Sequence, residues 1–247
     1  MGYNKDFQSY YMRYLGITPQ ELKKGKNIYS CSQREKPLNN YYFQPLIVTN
    51  INNTKVFSIS PRMYKDFTEY INNFKDISFS KIEEILKRFF DNRLENYSIR
   101  KMHRMTLNNI PTNLRLDNDV VKLTKEILMN SLKNIEPNER NKIWLRKKKE
   151  VNEGRQYVIL DKDSIVSYCK VSDIDFNGGN FTVYTGEEYR NKGYGKLVSA
   201  GAIKWCNEKG VIPIYWVDKS NETSVALAKG LGFKVMSEEI VVGTKSP

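Results

Sequence analysis

Histidine is almost missing from this chain: His103 is the only one among 247 residues. A zinc site of the HExxH kind needs two imidazoles and is excluded, and a Ser-His-Asp triad could draw only on His103. That residue stands among Arg100, Lys101 and Arg104, where an imidazole reads as a packing residue. Cysteine is as scarce. Cys31, Cys169 and Cys206 lie far apart with no CxxC pair, which argues against a disulfide framework and against a thiolate metal site, so no metal is expected. No run approaches the roughly 20 apolar residues that span a bilayer. The opening Met1-Gly2-Tyr3-Asn4-Lys5-Asp6 lacks an apolar signal core, and Asp6 stands where myristoylation wants Ser or Thr. The expectation is a cytoplasmic protein with no membrane partner.

What is there is ordinary for a globular chain, with 40% hydrophobic and 28% charged residues. The length suits one large domain or two small ones. A net charge of +12 invites a nucleic-acid reading, but the excess is spread out. Residues 1–140 carry 23 basic and 15 acidic side chains, and residues 141–247 carry 17 and 13. The one dense run, Arg146-Lys147-Lys148-Lys149, falls on a predicted helix and reads as a solvated face. No RNP or zinc-finger pattern accompanies it, so nucleic acid is not an expected partner. An acidic ligand such as a nucleotide suits the charge.

Two regions differ in character. In residues 1–135, Phe43–Thr49 and Lys55–Ser60 read as strands flanking an Asn52-Asn53 turn. Pro61 suits the first turn of a helix carrying Met63, Phe67, Tyr70, Ile71 and Phe74. A second helix is predicted after Ser80, with Ile82, Ile85, Leu86 and Phe89 on one face and Ser80 with Glu83 as a capping box. A third is predicted from Asn118 or Asp119 through Leu132, and a fourth from Pro137 to Gly154. Strands then dominate. Gln156–Leu160 and Ser164–Val171 flank an Asp161-Lys162-Asp163 turn, and Asn177-Gly178-Gly179-Asn180 reads as a turn before the strand Phe181–Thr185. A helical stripe from Tyr194 to Cys206 ends at Gly210. A strand Ile212–Val217, a helix Asn221–Leu231 and a strand Phe233–Val242 follow. The order predicts an α+β fold with a mixed sheet.

The chemistry concentrates where Val183-Tyr184-Thr185 leads to Arg190-Asn191-Lys192-Gly193-Tyr194-Gly195 and then a helix. A glycine-spaced basic loop at a helix start leaves backbone N–H groups unpaired at the positive end of the dipole, which suits a phosphate. Two familiar phosphate loops fail. A Walker loop ending at Gly195-Lys196 would need glycine where Arg190 stands, and Ser or Thr where Leu197 stands. A dinucleotide loop would need its third glycine at Val198.

The pattern that fits is Arg/Gln-x-x-Gly-x-Gly/Ala. With it, over roughly Tyr157 to Val242, the chain resembles the GNAT superfamily of acyl-CoA-dependent N-acyltransferases. Ahead of the loop, Val183-Tyr184-Thr185 and Glu188-Tyr189-Arg190 look like the family's strand and its acidic-aromatic-basic lead-in. Behind it, Asn221, Ser224, Leu227, Ala228 and Leu231-Gly232-Phe233 look like the family's N-x-x-(A/S)…LGF segment. Thr185, the Lys192-Gly193 pair, Pro213 before Trp216, and Ser224 look most like a bacterial subgroup that includes zwittermicin-resistance-type acetyltransferases.

The resemblance implies a GNAT-type mixed, mostly antiparallel sheet flanked by helices in a domain at 136–247, with an accessory α/β domain at 1–135 that shapes the acceptor site or a homodimer contact. It implies acetyl-CoA as co-substrate and a primary amine as acceptor. Backbone groups of Val183, Tyr184 and Thr185 would meet the pantetheine arm. Arg190, Asn191, Lys192, Gly193, Tyr194, Gly195 and Lys196 would hold the pyrophosphate, and Asn221 would orient pantetheine or the neighbouring strand end. The thioester would lie between Phe181–Thr185 and Ile212–Val217, with a backbone amide near Tyr184 stabilising the oxyanion.

Two departures stand out. Where many relatives have a Tyr that protonates the leaving thiolate, this chain has Ala228, and where some have a Glu base it has Gly179. Direct attack by a neutral amine is the expected course, with Tyr215 and Asp218 as substitute proton carriers. Each has a plainer reading, Asp218 as a turn residue and Tyr215 as a packing aromatic. The same departures also suit a non-catalytic acyl-CoA sensor.

Overall fold

The computed structural model describes residues 5–18, 20–21, 27–38, 42–74, 77–78, 81–108 and 117–245. Seven α-helices and ten strands stand among them, in a mixed α+β architecture whose strand pairs are mostly antiparallel. The chain divides into two compact units: Met1–Arg104 with Val217–Asn221 and Val235–Pro247, and Met105–Trp216 with Glu222–Lys234. The second unit thus takes in residues 105–135, and the first takes in 217–221 and 235–247.

In the first unit, β2 (Phe43–Ile51) and β3 (Thr54–Ile59) form the expected hairpin. Asn52 and Asn53 take φ of 49° and 63°, the left-handed pair a tight two-residue hairpin turn needs, and asparagine tolerates it. Beside them run β1 (Ile28–Ser30), β10 (Phe233–Thr244) and the 98–104 portion of β4 (Ser98–Leu107), in the order β1-β3-β2-β10-β4. After α1 (Lys5–Leu15), the helices α2 (Tyr64–Ile71) and α3 (Ile82–Phe90) press Phe67, Ile82, Leu86 and Phe89 against Phe57 and Leu46, with Phe67 and Phe89 rings edge to face at 5.1 Å. Each such burial stabilises by roughly 1.5–3 kcal/mol. The N-cap of α3 is Lys81, without a side-chain cap, and Ser80 of the expected capping box lies outside the described residues.

In the second unit the strand order is β9-β8-β7-β6-β5: β9 (Ile212–Asp218), β8 (Gly178–Thr185), β7 (Ser164–Asp175), β6 (Gln156–Asp161) and β5 (Val121–Lys122). The third predicted helix is corrected here. Val121 leaves the helical path to pair with Val158, and the helix α4 (Lys125–Ser131) starts only at Lys125, capped by Thr124 Oγ1, which accepts from Ile127 N at 3.2 Å. A β-branched residue beside an open strand edge outweighs the earlier Asn and Asp as a start signal. The turn at 177–180 is also shorter than predicted. Phe176 and Asn177 alone make it, and Gly178 and Gly179 already belong to β8. Helix α5 (Pro137–Asn152) ends as expected before Gly154. Helix α6 (Tyr194–Lys209) packs through Gly201, where any Cβ would stand 2.4 Å from the Tyr157 ring. Helix α7 (Glu222–Gly230) buries Ala228.

Candidate active site

The site begins as a defect in strand pairing. Along one edge β8 pairs antiparallel with β7, from Asp175↔Gly178 to Ser167↔Thr185. Along the other it pairs parallel with β9 only at Gly178↔Ile212, Gly179↔Pro213 and Asn180↔Ile214. Beyond that point β8 runs on to Thr185 and β9 runs on from Tyr215 without pairing to each other. Pro213 has no N–H to donate, which weakens the short ladder where the fork starts. The edge of β8 from Phe181 to Thr185 thus keeps N–H and C=O groups for an extended ligand.

Past Thr185 the chain tightens. A 3₁₀ turn at Glu187–Tyr189 is closed by Tyr189 N donating to Gly186 O and Arg190 N to Glu187 O. Asn191 and Gly193 then take φ of 62° and 80°, and Gly193 caps α6. The first helical amides with an acceptor are Lys196 and Leu197, both bonded to Gly193 O. Among the described residues, the amides of Asn191, Lys192, Gly193, Tyr194 and Gly195 have no protein acceptor. A Cβ on Gly193 would meet nothing within 4 Å, whereas one on Gly195 would stand 3.4 Å from Leu227 and 3.5 Å from Thr185 Oγ1. The loop is therefore open on the Gly193 side and packed on the Gly195 side. Its cations are lightly held: Arg190 lies 3.6 Å from Glu187, and Lys192 Nζ sits 5.1 Å over the Tyr189 ring. Tyr189 and Tyr194 stack beside them at 6.4 Å. Five free amides, a helix N-terminus and Arg190, Lys192 and Lys196 give this loop the chemistry of an anion-binding site.

The predicted proton carriers separate in character. Tyr215 is 3% exposed, shares a hydrogen bond with Ser224 Oγ at 3.2 Å and meets Phe233 edge to face at 5.5 Å. Burial pushes its phenol above the ordinary tyrosine range, against the Ser224 hydrogen bond. Asp218 and Asn221 fall in the 217–221 segment of the first unit. There Asp218 Oδ1 accepts from Ser220 N at 3.0 Å and Ser220 Oγ at 2.7 Å, and Asn221 N donates to Asp218 O. Burial works to raise the Asp218 carboxyl, but the Ser220 bonds and Arg100, 4.0 Å away, outweigh it and hold the group below the usual range. It is an ionised turn-former. His103 is buried with Nδ1 3.9 Å from Glu238, in keeping with packing.

The structure places Val183, Tyr184, Thr185 and the loop 190–196 together in the second unit, with Tyr215 on β9 of the same unit. It also adds Asn180, which the sequence reading passed over as a turn residue. At the root of the fork its Oδ1 is buried with no partner, while Nδ2 donates to Asp173 O at 3.4 Å. Strand alternation sets Asn180, Thr182 and Tyr184 on one face. Tyr184, 49% exposed, stacks there on Tyr168 at 5.5 Å.

A family model described as GNAT acetyltransferase matches residues 55–240 of this chain. The N-acetyltransferase YdfB of Bacillus subtilis, itself uncharacterized, is 34% identical over 87 residues, which are 35% of this chain and only 33% of that protein. An acetyltransferase from the GNAT family of Colwellia psychrerythraea superposes over 98% of this chain and 97% of its own, with a TM-score of 0.50 at 9% identity, a likeness of fold. A GCN5-related N-acetyltransferase from Sphaerobacter thermophilus covers 96% of this chain and 90% of its own, at a TM-score of 0.48 and 12% identity. Among the described residues no helix is long and apolar enough to cross a membrane. With the family match running over most of its length, through the fork and the loop, the chain belongs to the GNAT acetyltransferase family.

Proposed function

We propose that this protein transfers an acetyl group from acetyl-CoA to a primary amine by direct attack. The observation that carries this is the joining of two open features: the unpaired edge of β8 beyond Asn180 runs into a loop with five free amides at the start of α6. A pantetheine arm would pair with the first at Val183, Tyr184 and Thr185. A pyrophosphate would occupy the second, from Arg190 to Lys196.

The amine nitrogen attacks the thioester carbonyl, the C–S bond breaks, and an amide and free CoA result. A backbone amide near Tyr184 donates a hydrogen bond to the oxyanion, which gains charge only as attack proceeds. Asn180 Oδ1 accepts from the incoming amine and orients its lone pair. Tyr215, held protonated by its burial, supplies the proton to the departing thiolate. Water collects the proton lost by the amine. Residues 1–135 act as the accessory region, in a cytoplasmic enzyme. Thr185, Lys192-Gly193, Pro213 and Ser224 support the zwittermicin-resistance-type subgroup within the family.

Ala228 and Gly179 favour a second reading, an acyl-CoA sensor without turnover. Release of free CoA over a broad amine panel, beside calorimetry with acetyl-CoA and CoA, tells them apart. Transfer requires CoA release above hydrolysis with at least one amine. Tight binding with silence across the panel supports the sensor.

A further inference from the structure

A Tyr215 that protonates the leaving thiolate ends each transfer as a tyrosinate, and it needs a proton back before the next. Its surroundings limit where that proton can come from. The residue is 3% exposed, and the Phe233 ring meets it edge to face at 5.5 Å, so water has little direct access. Cys169 is the other ionisable group that acts on the phenol. It is fully buried, and burial pushes its thiol up to about 12, which makes it a poor source.

One polar contact is left. Among the described residues the phenol has a single hydrogen-bond partner, Ser224 Oγ at 3.2 Å. Ser224 is half-buried in the first turn of α7, beside the exposed Asn221, Glu222 and Thr223. It therefore reaches inward to the phenol from a stretch of chain that meets water. Ala228, one turn further along the same helix face, is buried and carries no hydroxyl. A serine hydroxyl donates and accepts at once, so it can pass one proton inward while taking another from outside.

We propose that Ser224 is the proton relay that returns Tyr215 to its acid form after each transfer. This rests on the reading of Tyr215 as the acid. Ser224 touches neither the thioester nor the amine and acts only through the phenol. In the step, the Ser224 O–H bond breaks as its proton passes to the tyrosinate oxygen, and the Ser224 oxygen takes a proton from water. The hydroxide so formed is neutralised by the proton that the amine released to water, so charge and atoms balance over the cycle.

The test follows CoA release after rapid mixing of the full chain with acetyl-CoA and the fastest amine of the panel. Ser224→Ala should release the first CoA on each protein at the wild-type rate. It should then continue about tenfold or more below the wild-type steady rate. Ser224→Thr keeps the hydroxyl and should restore the steady rate. Ser224→Val, which has the shape of threonine without the hydroxyl, should behave as Ser224→Ala does. Cooperative urea unfolding and unchanged acetyl-CoA affinity by calorimetry show that each variant is intact. First and later turnovers slowed equally would make Ser224 an orienting group for the phenol and overturn the relay. So would an unchanged steady rate in both Ser224→Ala and Ser224→Val. A Tyr215→Phe protein that releases CoA at the wild-type rate overturns the acid and the relay together and leaves acetyl transfer standing. A wild-type chain silent with every amine overturns transfer as well.

Discussion

The Arg104 network of the first unit and the Gly193 loop of the second treat polar groups in opposite ways. Arg104 is 1% exposed, yet its Nε bonds Glu239 at 2.7 Å, its Nη2 reaches the other carboxylate oxygen at 3.2 Å, and its Nη1 donates to Tyr10 at 2.8 Å. Tyr11 closes the circuit by bonding Glu239 and sharing a hydrogen bond with Ser237. In the loop five consecutive amides go without a partner among the described residues. Full satisfaction makes a polar group part of the fold, where its removal costs stability. Groups left open at a solvent-exposed helix start cost little to the fold, because water meets them until a ligand does.

This contrast can be broken most forcefully at Arg104. Arg104→Met strands a buried carboxylate and should cost about 3–5 kcal/mol in urea unfolding. A loss under about 1 kcal/mol would mean the network is no more structural than a surface pair. Next in size comes Tyr215→Phe, which keeps the ring packing but removes the acid. It should lower kcat by about a hundredfold or more with acetyl-CoA affinity unchanged. Because the native phenol is raised above 10.0, wild-type kcat should not fall until the pH passes that value. A falling limb near neutrality would assign the acid elsewhere.

Gly193→Val should divide the two costs. Strain at φ of 80° takes about 1–2 kcal/mol of stability, and the branched side chain enters open space that the ligand needs, so CoA affinity should drop at least tenfold. Unchanged affinity would remove the loop from the site. The smallest effect concerns pH. Burial raises the Tyr157 phenol from 10.0 to about 12, so between those values the unfolded chain sheds a proton that the folded chain keeps. Stability should fall with rising pH in that window and be unaffected below it. Tyr157→Phe should make the alkaline decline shallower in urea unfolding followed from pH 9 to 12.

Much of the fold was legible because local chemistry agreed with the final structure. Asn52-Asn53 supplied a hairpin turn, Gly193 and Gly210 marked the ends of α6, and Pro137 opened α5. The phosphate-type loop could be read because its atoms come from one run of backbone. The rest depended on distant pairing. The start of α4 moved because Val121 found Val158, and Arg104 meets a carboxylate 135 residues away. Asn180 looked like one more turn residue, since only the end of the β8–β9 ladder gives it a place. Ala228, notable as a missing tyrosine, is a fully buried contact of α7.

The first unit draws on three separate stretches, and the last of them, Val235–Pro247, brings Ser237 and Glu239. During synthesis Arg104 therefore emerges 135 residues ahead of the carboxylate that neutralises it. At about 5–20 residues per second, that is a wait of some 7–27 s for a charge whose place is the interior. Residues 1–104 cannot close their core on the ribosome before most of the second unit has emerged. Order of manufacture and order of completion run in opposite directions in this chain, and a nascent chain stalled before Glu239 should be open to chaperone or protease in its earliest-made part.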